Sequence, residues 1–147
     1  SGLLFPLAMQ APDAPEKTLV RTLLAIDEEA RSLTFAGDLP EGAQVQLMKA
    51  NFERLVDGAE QAARHAALDA PSFEGSDAFA VAVSCVGRRL VLGDRIEEEV
   101  EAIHRALPGV RHVSGFYSYG ELSPAVDSPT CDLHNQTMTV TLLQEST

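Results

Sequence analysis

The sequence predicts an α+β fold, in which a largely antiparallel β-sheet packs with two main helices in the order β-β-β-α-β-α-β-β. Short runs in which apolar and polar residues alternate indicate strands near both ends of the chain. Two longer segments carry apolar residues at helical spacing. Two hairpin-like pairs, the first two strands and the last two, favour antiparallel pairing.

The composition indicates one domain that covers residues 1–147. Hydrophobic residues make up 45% of the chain, enough to bury one core without a metal or a disulfide. The net charge of −11, with 11 scattered Lys and Arg, argues against binding to nucleic acid or to an anionic membrane. No apolar run approaches the roughly 18 residues of a membrane span. Two cysteines, Cys85 and Cys131, are too few for a disulfide scaffold and favour a cytoplasmic location.

The first residues indicate a piece of a longer polypeptide. The chain opens "SGLLFPLAMQ", which lacks an initiator Met and the basic start and cleavage pattern of a signal peptide. We therefore expect that segments on the N-terminal side are missing.

The N-terminal half is predicted to hold three strands. Thr18 to Asp27 and Ser32 to Gly37 are joined by a short polar turn and indicate a hairpin. Asp38 to Gly42, "DLPEG", has the residues of a turn. The alternation in "AQVQLMKA" then predicts the third strand.

The first helix is predicted to begin after Asn51, a good N-cap residue, and to end before Pro71, which opens the loop "PSFEGSDA". Its apolar stripe consists of Phe52, Leu55, Val56, Ala59, Ala63 and Ala66.

A central strand and the second helix follow. Phe79 to Gly87 is a nearly continuous apolar run rich in valine, which is typical of a strand covered on both faces. In "GDRIEEEVEAIHRALPG", Asp94 is predicted to cap the helix with Glu97 three residues on, and a Pro-Gly pair ends it.

The C-terminal part is predicted to hold two strands around a loop. In "VRHVSGFYSYG", alternation places Tyr117 and Tyr119 on one face. The loop "ELSPAVDSPTCD" leads to the last strand, "HNQTMTVTLLQ", with its threonines on one face and Met138, Val140 and Leu142 on the other.

Three stretches together resemble the FIST C domain, the C-terminal half of the FIST sensory module. They are "SCVGRRLVLG" (Ser84 to Gly93), "GFYSYGELSP" (Gly115 to Pro124) and "HNQTMTVTLL" (His134 to Leu143). "LVRTLLAIDEEARSLTFAGDLPEG", followed by "VQLMKAN", is also similar to the front of that domain. The resemblance therefore runs through nearly the whole chain.

The resemblance implies an intracellular sensory domain of a signal-transduction protein that works beside a FIST N domain, which this chain lacks. It implies small ligands such as amino acids and an output partner such as a histidine kinase. Some bacterial members of the family are described as haem-binding nitric oxide sensors. Certain F-box proteins also carry the module, which suggests a protein-interaction scaffold as an alternative.

Cys85 lies at the end of the central strand, before Gly87 and the pair Arg88-Arg89. Nearby guanidinium groups would favour the thiolate and make the cysteine reactive. A free cysteine in a strand is more often a small buried apolar residue. The resemblance places a cysteine at this motif position and favours a role in lining a site.

His134 is the histidine of interest, because it lies in one of the three motifs. It could ligate a non-covalent haem as an axial ligand, or it could fix a turn or polar network with Asn135 and Thr137. It could form a dyad with Cys85 if the two strands are neighbours. The other histidines, His65, His104 and His112, carry no assigned role.

Glu121 follows Gly120, whose missing Cβ permits a close backbone approach or a positive φ. The carboxylate could bind a ligand amine or pair with Arg88, or it could be an ordinary surface group. Two phenols on one face would give a pocket apolar walls with polar tips.

The sequence thus predicts a non-enzymatic domain that binds a small ligand where the ends of several strands converge. Haem sensing and a scaffold role are the alternatives, and a thiol enzyme that uses Cys85 is the least favoured. The predicted ligand-binding residues are Cys85, Gly87, Arg88, Tyr117, Tyr119, Gly120, Glu121, His134, Asn135 and Thr137.

Overall fold

A computed structural model describes residues 2–68, 78–124 and 130–144. Within these residues the chain forms ten strands and three helices, together with short 3₁₀ turns at Gly2–Leu4 and Gly93–Arg95. The strands are β1 Leu7–Ala11, β2 Ala14–Arg21, β3 Leu23–Asp27, β4 Ser32–Phe35, β5 Gln44–Leu47, β6 Phe79–Cys85, β7 His112–Ser118, β8 Glu121–Pro124, β9 Cys131–His134 and β10 Met138–Leu143. The helices are α1 Phe52–Ala66, α2 Val86–Leu92 and α3 Glu97–Ala106.

The central sheet has the strand order β10-β6-β7. Strand β10 runs antiparallel to β6, with Met138 opposite Ser84 and Leu143 opposite Phe79. Strand β7 runs parallel to β6, and a parallel neighbour requires a crossover connection. Helices α2 and α3 supply that crossover.

The hydrophobic core lies between the central sheet and helices α1 and α3. Alternation along β10 points Met138, Val140 and Leu142 toward this core, opposite Ser84, Ala82 and Ala80 of β6. Most of the fully buried members of the core are alanines, on the helices as well as on β6, so the helices pack closely on the sheet. They include Ala59, Ala63, Ala80, Ala102, Ile103 and Leu107.

The remaining strands form smaller antiparallel units. Strands β2, β1 and β5 make a three-stranded sheet in that order, while β3 pairs with β4 and β8 pairs with β9 as two-stranded hairpins. The connection from β2 to β3 passes through Thr22, whose carbonyl oxygen accepts a hydrogen bond from the Ala36 N–H at 2.9 Å.

The α+β class is confirmed, and so are several local predictions. The predicted hairpin exists as β3 and β4, with Asp27 opposite Ser32. Asn51 caps α1, because its Oδ1 accepts a hydrogen bond from the Arg54 N–H at 3.2 Å. The predicted stop at Pro71 and its loop lie outside the described residues.

The predicted single sheet and its last hairpin are wrong. Strands β7 and β10 do not pair with each other; both flank β6, because this apolar strand offers each of them a full edge of backbone hydrogen bonds. The apolar run of β6 is also not covered on both faces. On the face away from the helices, Val81 and Val83 are half-buried and Phe116 is 62% exposed.

Two predicted strands are broken in the structure. The run Thr18 to Asp27 divides at Thr22 into β2 and β3. The buried Arg21 side chain stabilises this break, because it donates hydrogen bonds to the carbonyl oxygens of Asp38 and Leu133 at 3.0 and 2.9 Å. The run from His134 onward divides before Met138, where Gln136 takes a φ of 55° that a strand does not allow.

Sequence patterns missed one helix, α2, and three strands, β1, β8 and β9. Helix α2 begins directly after Cys85, because burial of Val91 and Leu92 favours a helical turn there. Asp94 does not cap α3, which begins after Ile96 with no side-chain cap. Part of the predicted loop after Gly120 is the strand β8, and part of its end is β9. Among the described residues, no helix is both long and apolar enough to cross a membrane.

Candidate functional site

A cavity of about 400 Å³ lies where β6 ends and α2 begins. Its walls come from the start of the chain, from β3 and the segment that follows β4, from the β6–α2 junction, and from the segments just before β8 and just after β9. Most of the wall is aliphatic, and a few polar groups interrupt it, which is the usual makeup of a small-molecule site. The lining residues are Gly2, Leu3, Thr22, Leu23, Leu24, Ala25, Ile26, Ala36, Cys85, Val86, Gly87, Leu90, Tyr119 and Asn135.

The Cys85 thiol is buried in the wall of this cavity at the N-cap position of α2. Burial is the main cause that raises its pKa, and hydrogen-bonded contact with the Glu121 carboxylate raises the pKa further. Hydrogen bonds from the backbone N–H groups of Gly87 and Gln136 oppose this shift without cancelling it. The thiol is therefore neutral at pH 7 and a poor nucleophile.

Of the two interpretations of Cys85, the structure supports the favoured one, a buried cysteine, and not activation by arginine. Arg88 turns away from the thiol and forms a buried ion pair with Glu99, with a 2.6 Å hydrogen bond from Nε to Oε1. Arg89 stacks over the Tyr117 ring at 5.1 Å from its centroid. Both cations are therefore engaged by other groups.

Glu121 is a buried carboxylate, only 2% exposed, at the first position of β8. Its two oxygens accept hydrogen bonds from the Ser118 hydroxyl at 2.5 Å and from the Thr137 hydroxyl at 2.8 Å. These bonds compensate for its burial. The interpretation of Glu121 as a surface group is therefore wrong, and so is its pairing with Arg88, which binds Glu99 instead.

Asn135 holds the cavity wall together by bridging two segments. Its Oδ1 accepts a hydrogen bond from the Thr22 N–H at 3.3 Å, and its Nδ2 donates to the His134 carbonyl oxygen at 3.2 Å. The side chain of Thr22 is 4% exposed, and its hydroxyl has no hydrogen-bond partner among the described residues. Sequence patterns missed Thr22, since one threonine within an apolar run carries no distinguishing signal.

Two glycines let the segments around the site approach closely. A Cβ at Gly87 would lie 3.0 Å from the Gln136 Cγ and 3.6 Å from the Cys85 Sγ. A Cβ at Gly120 would lie 3.0 Å from the Leu133 Cδ1. At both positions the absent side chain matters for close packing, and neither requires a positive φ.

Comparison with protein families identifies the chain. A family model described as the FIST C domain matches residues 1–124. The chain belongs to the FIST C family. FIST C domains are parts of sensory signal-transduction modules. No curated protein and no solved structure gives a match.

The matched residues do not contain the whole site of this FIST C domain. Asn135 and Thr137, which bind Thr22 and Glu121, come after the matched stretch. They are brought to the site because β10 completes the central sheet beside β6. The cavity is therefore closed by a segment beyond the family match.

The two tyrosines of this FIST C domain line different cavities. Tyr119 is 88% exposed at the mouth of the larger cavity, beyond the end of β7. Tyr117 lines a smaller cavity of about 190 Å³ on the helix side of the sheet, next to Glu99. Burial, followed by the charge of Glu99, raises the pKa of Tyr117. The prediction that both phenols share one face is wrong, because the strand ends between them.

His134 faces neither cavity of this FIST C domain. Its Nε2 lies 3.3 Å from the Ser123 carbonyl oxygen, so the ring links β9 to β8 when that nitrogen carries the proton. Neither cavity is lined by a histidine. The described residues therefore do not fit a histidine-ligated haem in these cavities.

The structure also does not support a dyad of His134 with Cys85, and the described residues offer no cluster of metal ligands. A dyad with Cys85 requires neighbouring strands, yet β6 pairs with β7 and β10 while β9 pairs with β8. The described residues contain no group of three or more His, Cys, Asp or Glu that could hold a metal ion. Of the remaining histidines, His65, His104 and His112 are exposed.

Proposed function

We propose that this FIST C domain is a non-enzymatic sensor that binds a small ligand in the cavity beside Cys85. The observation that carries the proposal is the cavity itself, with its volume of about 400 Å³ and an apolar wall interrupted by buried polar groups. Pockets of this size and makeup are typical of small-molecule sites. The neutral Cys85 thiol favours a role in lining the wall over nucleophilic catalysis.

Binding would act on the β3–β4 hairpin. Residues of β3 and Ala36 form one side of the cavity, while the β6–α2 junction, fixed to the central sheet, forms another. A ligand that contacts both sides favours the arrangement in which they are closest, and so shifts the population of hairpin positions. Leu24 and Ile26 line this side of the cavity and are also 61% and 63% exposed, so a partner that covers the hairpin can sense that shift.

The proposed partner classes are those that the family resemblance implies. We propose that a FIST N domain and an output protein such as a histidine kinase receive the signal. The resemblance implies small-molecule ligands, of which amino acids are one class. A scaffold function, by contrast, would not depend on the interior of the cavity.

A ligand screen on the full chain tests this proposal. The protein is heated with amino acids and with small alcohols and amides, and we expect some of them to raise the melting temperature. Leu90 lines the cavity yet is 63% exposed, so Leu90→Glu can be introduced without opening the core. This variant should abolish the ligand-induced shift, because it places a charge at the apolar mouth.

Leu68→Glu is the matched control, because Leu68 is also exposed and does not line the cavity. It should keep the ligand-induced shift. If no compound stabilises the protein, or if Leu90→Glu leaves the shift intact, this proposal is contradicted.

A further inference from the structure

Among the residues that the structure describes, none that lines the larger cavity carries a charged side chain. Its polar groups are the thiol of Cys85, the phenol of Tyr119, the hydroxyl of Thr22 and the amide of Asn135. An ion that enters a mainly apolar site without a partner of opposite charge loses its hydration without compensation. A lining of this kind therefore favours an uncharged ligand over a charged one.

The charged groups next to the cavity are committed to other partners. Arg21 precedes Thr22, but its guanidinium donates to the carbonyl oxygens of Val20, Asp38 and Leu133. Arg88 is held by Glu99. The charge closest to Cys85 is the carboxylate of Glu121, and this negative charge repels an anion.

Thr22 supplies a hydrogen-bonding group that the fold leaves unused. Its Oγ1 is the one fully buried side-chain oxygen or nitrogen among the described residues that lacks a protein partner. The atom lies just behind the cavity wall, of which Thr22 is a part. A step between staggered χ1 rotamers moves the hydroxyl into the position that the methyl group or the Cβ hydrogen held, and this rotation can bring it to the cavity that Thr22 lines.

We propose that the cavity takes a small uncharged molecule, with an apolar body and one hydrogen-bonding group, and that Thr22 recognises this group. The inference rests on the proposed function, because it names the ligand class of the same cavity. It excludes carboxylates and zwitterions, which find no cationic side chain among the described residues of the lining. Free amino acids are therefore poor ligands for this chain.

A matched series of probes with the same hydrocarbon body tests the ligand class. Isoamyl alcohol, isovaleramide, isovalerate and leucine are titrated into the full chain, and binding is followed by amide chemical shifts. We expect the two uncharged probes to bind at least about tenfold more tightly than isovalerate and leucine. Leu90→Glu should weaken binding of the uncharged probes.

The outcomes separate this inference from the proposed function. Equal or tighter binding of isovalerate or leucine, still lost in Leu90→Glu, overturns the uncharged class and leaves the sensor proposal standing. If all probes bind and Leu90→Glu does not weaken their binding, both the uncharged ligand class and the sensor proposal are overturned. Absence of binding by every probe also counts against both.

Replacing Thr22 tests its part in recognition. Thr22→Val keeps the shape of the side chain and removes the hydroxyl, so the melting temperature of the free protein should stay equal or rise. The affinity for isoamyl alcohol should fall roughly fivefold, the worth of one neutral hydrogen bond, and Thr22→Ser should restore it. Thr34→Val, at an exposed position of β4, should change neither quantity.

A large fall in melting temperature for Thr22→Val would show that the hydroxyl has a structural partner and would overturn its assigned role. Unchanged affinity for isoamyl alcohol in Thr22→Val would overturn it as well.

Discussion

At the scale of single residues, the contact between Cys85 and Glu121 decides the chemistry of the site. Glu121 is buried and accepts hydrogen bonds from the hydroxyls of Ser118 and Thr137, which hold its carboxyl group in place beside the thiol. Burial and this charge both raise the pKa of Cys85. The thiol is therefore suited to neutral contact with a ligand and unsuited to nucleophilic attack.

The two cysteines of this chain allow an internal comparison of reactivity. Cys131 is exposed and Cys85 is buried. We expect iodoacetamide to label Cys131 within minutes at pH 7.5 and Cys85 far more slowly. Because the pKa of Cys85 is raised, its labelling should increase only at a pH above the ordinary thiol range near about 8.5. Peptide mass spectrometry measures both rates in one sample.

Glu121→Gln removes the carboxylate charge and should accelerate the labelling of Cys85 while leaving Cys131 unchanged. Rapid labelling of Cys85 in the native protein at neutral pH would contradict the raised pKa. It would also reopen the thiol-enzyme alternative.

The buried pair Arg88 and Glu99 is a second feature of single residues. The two side chains form an ion pair with each other, and each makes a further hydrogen bond. Arg88 donates to the Leu55 carbonyl oxygen, and Glu99 accepts from the Ser84 hydroxyl at 3.3 Å. The pair thus ties α2 to α1, α3 and β6. Its burial means that either charge becomes costly when the other is removed.

Glu99→Gln should lower the free energy of unfolding by about 3–5 kcal/mol, because it leaves the Arg88 charge buried without a counter-ion. Urea denaturation measures this loss. Glu60→Gln is the control, since Glu60 pairs with Arg64 and Arg105 at the surface and should matter little. A small loss for Glu99→Gln, or a similar loss for both variants, would argue against a buried pair.

At the scale of elements, the parallel pairing of β6 with β7 depends on Gly115. A Cβ at this position would overlap with the Ala82 carbonyl oxygen and would lie 2.8 Å from the carbonyl carbon. These are backbone atoms of the paired strand and cannot turn aside as a flexible side chain can. The strand β7 therefore has no room for any other residue here.

Gly115→Ala should destabilise the protein by roughly 3 kcal/mol, because β7 must move away from β6. Gly58→Ala is the matched control. Gly58 lies within α1, and its added Cβ would meet only the end of Arg88 at 3.6 Å, so this variant should stabilise by about 0.5–1 kcal/mol. Thermal and urea unfolding should give opposite signs for the two variants, and equal signs would contradict the pairing.

At the scale of the whole molecule, the segment after the family match is part of the domain. Strand β10 pairs with β6 from Met138 to Leu143 and places apolar side chains in the core. Without it, β6 would become an exposed apolar edge, which favours aggregation. The matched residues 1–124 therefore lack a strand that the central sheet needs.

A chain that ends at residue 124 should fail to fold cooperatively and should be prone to aggregation. Circular dichroism melting and light scattering would show both effects, with the full chain as control. A synthetic peptide of residues 130–144, added in trans, should restore part of the melting transition by supplying the missing strand. A sharp transition in the shortened chain alone would contradict this role of β10.

The local patterns predicted the features that depend on neighbours in the chain. The Asn51 cap, the β3–β4 hairpin and the alternation of β10 each follow from a few adjacent residues, and each is confirmed. Family membership was likewise predictable, because the motifs lie in a fixed order. The buried state of Glu121 was not predictable, since it depends on hydroxyls from Ser118 and from Thr137 on a distant segment.

The sequence by itself determined the α+β class, the Asn51 cap of α1, the β3–β4 hairpin and the membership in the FIST C family, because these follow from residue types at short spacing. Only the tertiary structure decided which strands are neighbours and that Arg88 pairs with Glu99. It also decided that Tyr117 and Tyr119 line different cavities. It also brought Thr22 to Asn135 across the chain and left the Thr22 hydroxyl without a protein partner. The physical reason is that pairing partners and desolvation depend on contacts between segments far apart in sequence, which no local pattern encodes.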